Sequence, residues 1–149
     1  MKETEKETSK TMEQKKNKRD YRKEIGRAGE DLAELLLLQR GYRIIRRNFS
    51  CRLGEIDIIA ERDGLLSFVE VKTRFSQMYG AGREAVNRQK QRHMRAAAQV
   101  FLQANASGRV LKSKQGSDTG SDLGTEVSYR EVEFAVIEIH AEHLTGLAM

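Results

Sequence analysis

Asp63-Gly64 stands between two runs of Ile, Val, Leu and Phe, Glu55 to Glu61 and Leu65 to Thr73. Asp-Gly between such runs is a strong short-range hairpin signal, because a type I′ turn needs positive φ at both central residues. With Asp63 and Gly64 as those residues, Arg62 pairs with Leu65 and every cross-strand pair has numbers summing to 127. The register sets Asp57 opposite Glu70, Glu55 opposite Lys72 and Ile59 opposite Phe68, and period-2 alternation predicts all six on one face. Opposed residues have Cβ atoms about 4.5–5.5 Å apart, so Asp57 and Glu70 repel unless a cation lies between them. Carboxylate oxygens favour Mg²⁺ or Mn²⁺ over Zn²⁺. A plainer alternative stays open: Glu70-Val71-Lys72 on an amphipathic surface strand, with Glu55 and Lys72 in a weak ion pair. A one-residue slip in the turn would undo the pairing.

The remaining elements follow from periodicity. Glu24 to Arg40 reads as a helix, with Ala28, Leu32, Leu35 and Leu36 on one face and Gly41 placed as a C-cap. Tyr42 to Asn48 reads as a strand, Glu84 to Asn105 as a second helix, and Val132 to Ile139 as a final strand. The order αβββαβ predicts an α/β fold with a mixed central sheet flanked by helices. Residues 1–22 are highly charged and read as a disordered tail. Residues 23–149 read as a single domain with a flexible, polar loop at 107–128.

Charge is concentrated. Gln39 to Leu53 holds five arginines and no acid; Arg74 to Arg95 holds six bases and Glu84 alone. Each segment carries +5, so the remainder of a chain of net charge +5 must carry −5. Such clusters are either solvated surface or a track for a polyanion, and phosphate backbone fits better than a membrane face, since the basic helix lacks bulky apolar residues. The longest apolar runs, Leu35 to Leu38 and Phe134 to Ile137, are too short to cross a bilayer, and no signal segment begins the chain, so the expected location is the cytoplasm. Cys51, the single cysteine, excludes an internal disulfide and a Cys-rich zinc module. No phosphate loop supports nucleotide chemistry.

Gly54-Glu55-Ile56-Asp57, followed by Glu70-Val71-Lys72, resembles the PD-(D/E)xK nuclease motif. Gly26-Arg27-Ala28-Gly29-Glu30 resembles the helix that supplies an extra glutamate in archaeal Holliday-junction resolvases. From about Ile25 to Leu102, and in the last strand, the chain is similar to the small bacterial YraN family of predicted endonucleases. The resemblance implies a restriction-endonuclease-like core and a Mg²⁺- or Mn²⁺-dependent endonuclease acting on the DNA backbone, including branched or single-stranded DNA. It implies Asp57, Glu70 and the Val71 carbonyl as metal ligands, Lys72 at the attacking water or scissile phosphate, and Glu30 as an accessory acid. Gln89 and Lys90 fall where the family has a polar, basic helix. With Arg74, Arg88 and Arg92 of the second basic segment they are the expected phosphate contacts. A homodimer would follow from likeness to resolvases, whose junction substrates present two equivalent strands. The alternative function is a non-catalytic nucleic-acid-binding or scaffold protein that retains the nuclease core. Two departures from the family pattern are the last strand, Glu133-Phe134-Ala135-Val136 in place of Arg-Phe-Asp-Val, and the 107–128 loop.

Overall fold

A computed structural model describes residues 2–74, 83–107 and 127–140, with side chains described in 15–74, 88–107 and 127–140. The elements are α1 (Lys2–Gln39), β1 (Arg43–Cys51), β2 (Gly54–Arg62), β3 (Leu65–Arg74), α2 (Arg83–Ala106) and β4 (Glu131–His140), the expected αβββαβ order. The sheet runs β1-β2-β3-β4, antiparallel except for the parallel β3–β4 pair, and is therefore mixed.

The N-terminus departs from expectation. Residues 1–22 were expected to be disordered, yet α1 is helical from Lys2 onward. The segment before Gly26 has no Gly or Pro and is rich in Lys and Glu, so a helix nucleated on the sheet propagates outward at little cost per residue. Residues 15–24 remain exposed, as their composition requires. At its other end α1 stops in a Schellman motif: Gly41, at φ +82°, donates to the Leu38 carbonyl at 3.0 Å and Tyr42 donates to the Leu37 carbonyl at 3.0 Å.

The buried face of α1 also differs. Gly29, Ala33 and Leu37 face the sheet, whereas Leu35 is 57% exposed and Ala28 and Leu32 are also exposed. Small residues at i and i+4 let the helix approach closely: a Cβ on Gly29 would fall 2.2 Å from the Thr73 hydroxyl. Leucine-rich periodicity pointed to a different stripe because it weights size over closeness of approach.

Two cores lie on opposite faces of the sheet. Ala33 and Leu37 of α1 pack with Ile58, Ala60 and Val69. Met94, Ala97, Ala98 and Phe101 of α2 pack with Phe49, Ile56, Ile59, Leu66 and Phe68. Phe101 meets Phe49 and Phe68 edge-on at centroid distances of 5.6 and 5.9 Å. The Asp63-Gly64 turn has φ of +53° and +84°, the signs a type I′ turn demands. The register runs as expected from Arg62–Leu65 to Ile58–Val69. Residues 108–126 of the expected 107–128 loop lie outside the described residues. At its far end Val127 is buried, and its N–H and C=O are both bonded by the Asn105 side-chain amide, at 2.8 and 2.9 Å. The chain then touches the hairpin tip, where Arg130 N–H donates to the Gly64 carbonyl at 2.7 Å and starts β4. Among the described residues no helix is long and apolar enough to cross a membrane.

Candidate metal centre

The β2–β3 ladder ends at Ile58–Val69, one pair short of the carboxylates. Asp57–Glu70 and Glu55–Lys72 are therefore not ladder pairs, which corrects the expectation of six residues on one face. Ile56 and Ile58 belong to opposite cores, so β2 changes face at Asp57. On the neighbouring strand Asn48 adopts φ +49°, a conformation asparagine tolerates better than most residues. The Asp57 carboxylate drops into the opened ladder, and its Oδ2 accepts the Val71 N–H at 2.7 Å. The bond fixes Asp57 beside Glu70-Val71-Lys72 without β-pairing.

Glu70 lies on the α2 side of β3 and is only 3% exposed. Lys90 of α2 brings Nζ to 3.1 Å from Glu70 Oε1. Among the described residues neither carboxylate oxygen of Glu70 has an aligned hydrogen-bond donor, so the Lys90 contact is a charge contact, and Oε2 is left without even that. A buried carboxylate costs several kcal/mol unless paired, and such an orphaned oxygen calls for a further cation or donor. Burial would lower the Lys90 pKa, but the Glu70 contact and the fields of Asp57, Glu70 and Glu55 outweigh it and raise the ammonium above its ordinary value.

Asp57 has a raised pKa, caused first by burial, with Glu55 and Glu70 adding repulsion; the Val71 N–H and Lys90 oppose the shift. Glu30 of α1 is raised as well, by burial and then by Asp57, while the Asn48 hydrogen bond and Arg47 oppose. Asp57 thus senses acids from both faces: Glu30 by way of α1, Glu70 by way of β3. Raised carboxyls beside a buried, under-satisfied one mark this junction as the candidate functional site.

Sequence reasoning missed the roles of three residues here. Arg47, read as part of a basic track, turns inward to α1 and bonds Glu34 at 2.6 Å and Asp31 at 2.7 Å, with Glu30 at 3.8 Å. Arg43 likewise pairs with Glu61 at 3.3 Å, so part of the first basic segment is neutralised within the fold. Asn48, which holds Glu30, carried no sequence signal beyond its tolerance of positive φ.

Other expected site residues divide. Lys72, two residues beyond Glu70 on β3 and so on the same side, is half-buried and lies beside Glu138 in the β3–β4 register. Arg74 is engaged by Glu138 at 2.5 Å, which places its charge at the β3–β4 edge. Arg88, Gln89 and Arg92 are exposed on α2. Gln89, Lys90 and His93 form one wall of an open groove of ≈ 500 Å³, whose other wall is Ser50 to Glu55. Gly54 lets the walls meet: a Cβ there would fall 2.2 Å from the His93 carbonyl oxygen. Among the described residues, no three Asp, Glu, His or Cys side chains converge on one point. Two carboxylates and a backbone carbonyl still suit Mg²⁺, which commonly keeps several waters and takes only one or two protein carboxylates.

Fold and site together define an α/β protein with one mixed sheet, whose two central strands open into an acidic cluster facing a basic helix. The chain belongs to the uncharacterised protein family UPF0102, the YraN family, whose family model matches residues 29–139. It is 52% identical over 80 residues to a UPF0102 protein of Caldicellulosiruptor bescii, covering 54% of this chain and 67% of that one. It is 49% identical over 82 residues to a UPF0102 protein of Clostridium tetani, covering 55% and 67%.

Proposed function

We propose that this protein is a Mg²⁺- or Mn²⁺-dependent endonuclease that hydrolyses DNA phosphodiester bonds. The observation that carries the reading is Glu70: a carboxylate 3% exposed, with one oxygen unpartnered among the described residues, adjoining the raised carboxyl of Asp57. Asp57, Glu70 and the Val71 carbonyl would hold the ion, with Glu30 supporting it from α1. A divalent cation bound there supplies a polarised phosphate, a more acidic water and a stabilised leaving oxygen. Lys72 steers the water and offsets charge building on the phosphate. Arg88, Gln89 and Arg92 hold the backbone from α2, a mode that fixes position without reading sequence. Branched or single-stranded DNA is the proposed substrate, the cytoplasm the proposed location, and a homodimer the proposed acting form.

The second reading, a non-catalytic nucleic-acid-binding protein on a nuclease core, draws on the lack of a third convergent side-chain ligand among the described residues. Cleavage of labelled linear, single-stranded and four-way-junction DNA separates the two. The enzyme reading expects nicking that needs Mg²⁺ or Mn²⁺, stops with chelator and is lost in Asp57→Asn. DNA binding with no cleavage under either metal favours the second reading.

A further inference from the structure

We propose that Lys90 is the resident counter-ion of Glu70, occupying the carboxylate in the metal-free protein and released toward the groove when a divalent cation arrives. This rests on the reading of Asp57 and Glu70 as cation ligands. Three observations carry it. Glu70 is buried, and among the described residues its ion-pair partner is Lys90, at 3.1 Å. The contact lacks hydrogen-bond alignment and leaves Oε2 without a partner among the described residues, so the carboxylate is neutralised in charge but not saturated in bonding. The Lys90 side chain is 44% exposed and also lines the groove, so its ammonium sits between the carboxylate and solvent-facing space.

The physical argument is competition for one buried charge. A lone buried carboxylate is costly, so the metal-free fold needs a cation at Glu70. A flexible lysine supplies a point charge that can leave without unfolding the helix that bears it. A divalent ion binding Glu70 and Asp57 places positive charge beside the ammonium, and repulsion moves Lys90 outward along its own stem. In the groove it meets Gln89, His93 and the β1–β2 turn, where a DNA phosphate would receive it. The same lysine thus neutralises Glu70 without a metal and, once displaced, contributes to substrate binding.

The test uses the full chain in five forms: wild type, Lys90→Gln, Lys90→Arg, Glu70→Gln, and Glu70→Gln with Lys90→Gln. Melting is measured in EDTA, and Mn²⁺ affinity by electron paramagnetic resonance of the free ion. Lys90→Gln is expected to melt several degrees lower than wild type in EDTA. It is also expected to bind Mn²⁺ roughly five- to tenfold more tightly, because a nearby positive charge is gone. Lys90→Arg should restore wild-type behaviour in both. In the Glu70→Gln background, Lys90→Gln should lose its effect on melting, as coupled residues do. Wild-type binding of Mn²⁺ with unchanged melting and affinity in Lys90→Gln overturns the counter-ion role and leaves the metal site standing. Binding of Mn²⁺ by neither form overturns the metal site itself, and the displacement with it.

Discussion

Two clusters, each one cation among several carboxylates, lie on opposite faces of the same sheet and are built differently. On the α1 face, Arg47 spends both terminal nitrogens on aligned bonds of 2.6 and 2.7 Å to Glu34 and Asp31, leaving only Nε unpartnered. On the α2 face, Glu70 has among the described residues one unaligned ammonium at 3.1 Å and a bare second oxygen. The first arrangement is satisfied and ties α1 to β1. The second is under-satisfied and more deeply buried, which is costly for a structural element and useful for binding a cation. Asp57 joins them, since it feels Glu30 on one side and Glu70 and Lys90 on the other.

The largest effect should come from separating the walls that hold the α2 cluster. Gly54→Ala forces a methyl group against the His93 backbone carbonyl, which cannot yield as a side-chain tip could. We expect a loss of about 3 kcal/mol in urea unfolding, at the upper end of overpacking costs. Retention of wild-type stability would mean that β2 and α2 do not meet as described. Arg47→Ala should come next, at about 1.5–3 kcal/mol, the range for hydrogen bonds to charged groups. A change below 0.5 kcal/mol, an order-of-magnitude threshold for exposed pairs, would erase the contrast between the clusters.

Glu30→Gln should act with opposite sign and smaller size. Burial and Asp57 raise the Glu30 carboxyl, so the folded state takes up this proton at higher pH than the unfolded chain does. The penalty is fully present above the raised pKa and is relieved as pH falls toward the unfolded value of about 4.3. In EDTA near neutral pH the variant should therefore be slightly more stable than wild type, by under about 1 kcal/mol, with the advantage vanishing in acid. Melting curves across that range check it, and a variant less stable at neutral pH would show that Glu30 serves Arg47 more than it burdens Asp57. Glu138→Gln should be smallest. Arg74 lowers the Glu138 pKa through a hydrogen bond, a stabilisation present above the unfolded pKa and lost as pH falls through the folded one. Because the pair is exposed, the loss at neutral pH should stay under about 0.5 kcal/mol by chemical denaturation.

Much of this fold was legible because one turn is so prescriptive. Asp63-Gly64 fixed the register from Arg62–Leu65 to Ile58–Val69, and Gly41 fixed the end of α1. The element order followed from periodicity alone. What escaped the pattern was close approach and change of face. Gly29 and Ala33 gave no apolar signal, yet they seat α1 on the sheet. The strand rule also cannot foresee that Asp57 leaves the ladder, because that depends on Asn48 across the hairpin and on which core claims Ile56. Asp57, Glu70 and Lys90 were nameable from sequence, but the pairing of Lys90 with Glu70 was not, since nothing local links residues 20 positions apart on separate elements.

Calorimetric titration of Mn²⁺ into the metal-free wild-type protein and into Asp57→Asn tests the cation site most directly. The wild type should show saturable uptake, weakened at least tenfold in the variant, a change of about 1.4 kcal/mol, while the variant melts no lower than the wild type in EDTA. Absence of uptake by the wild type, or equal uptake by both, would contradict the assignment of Asp57 and Glu70 as ligands.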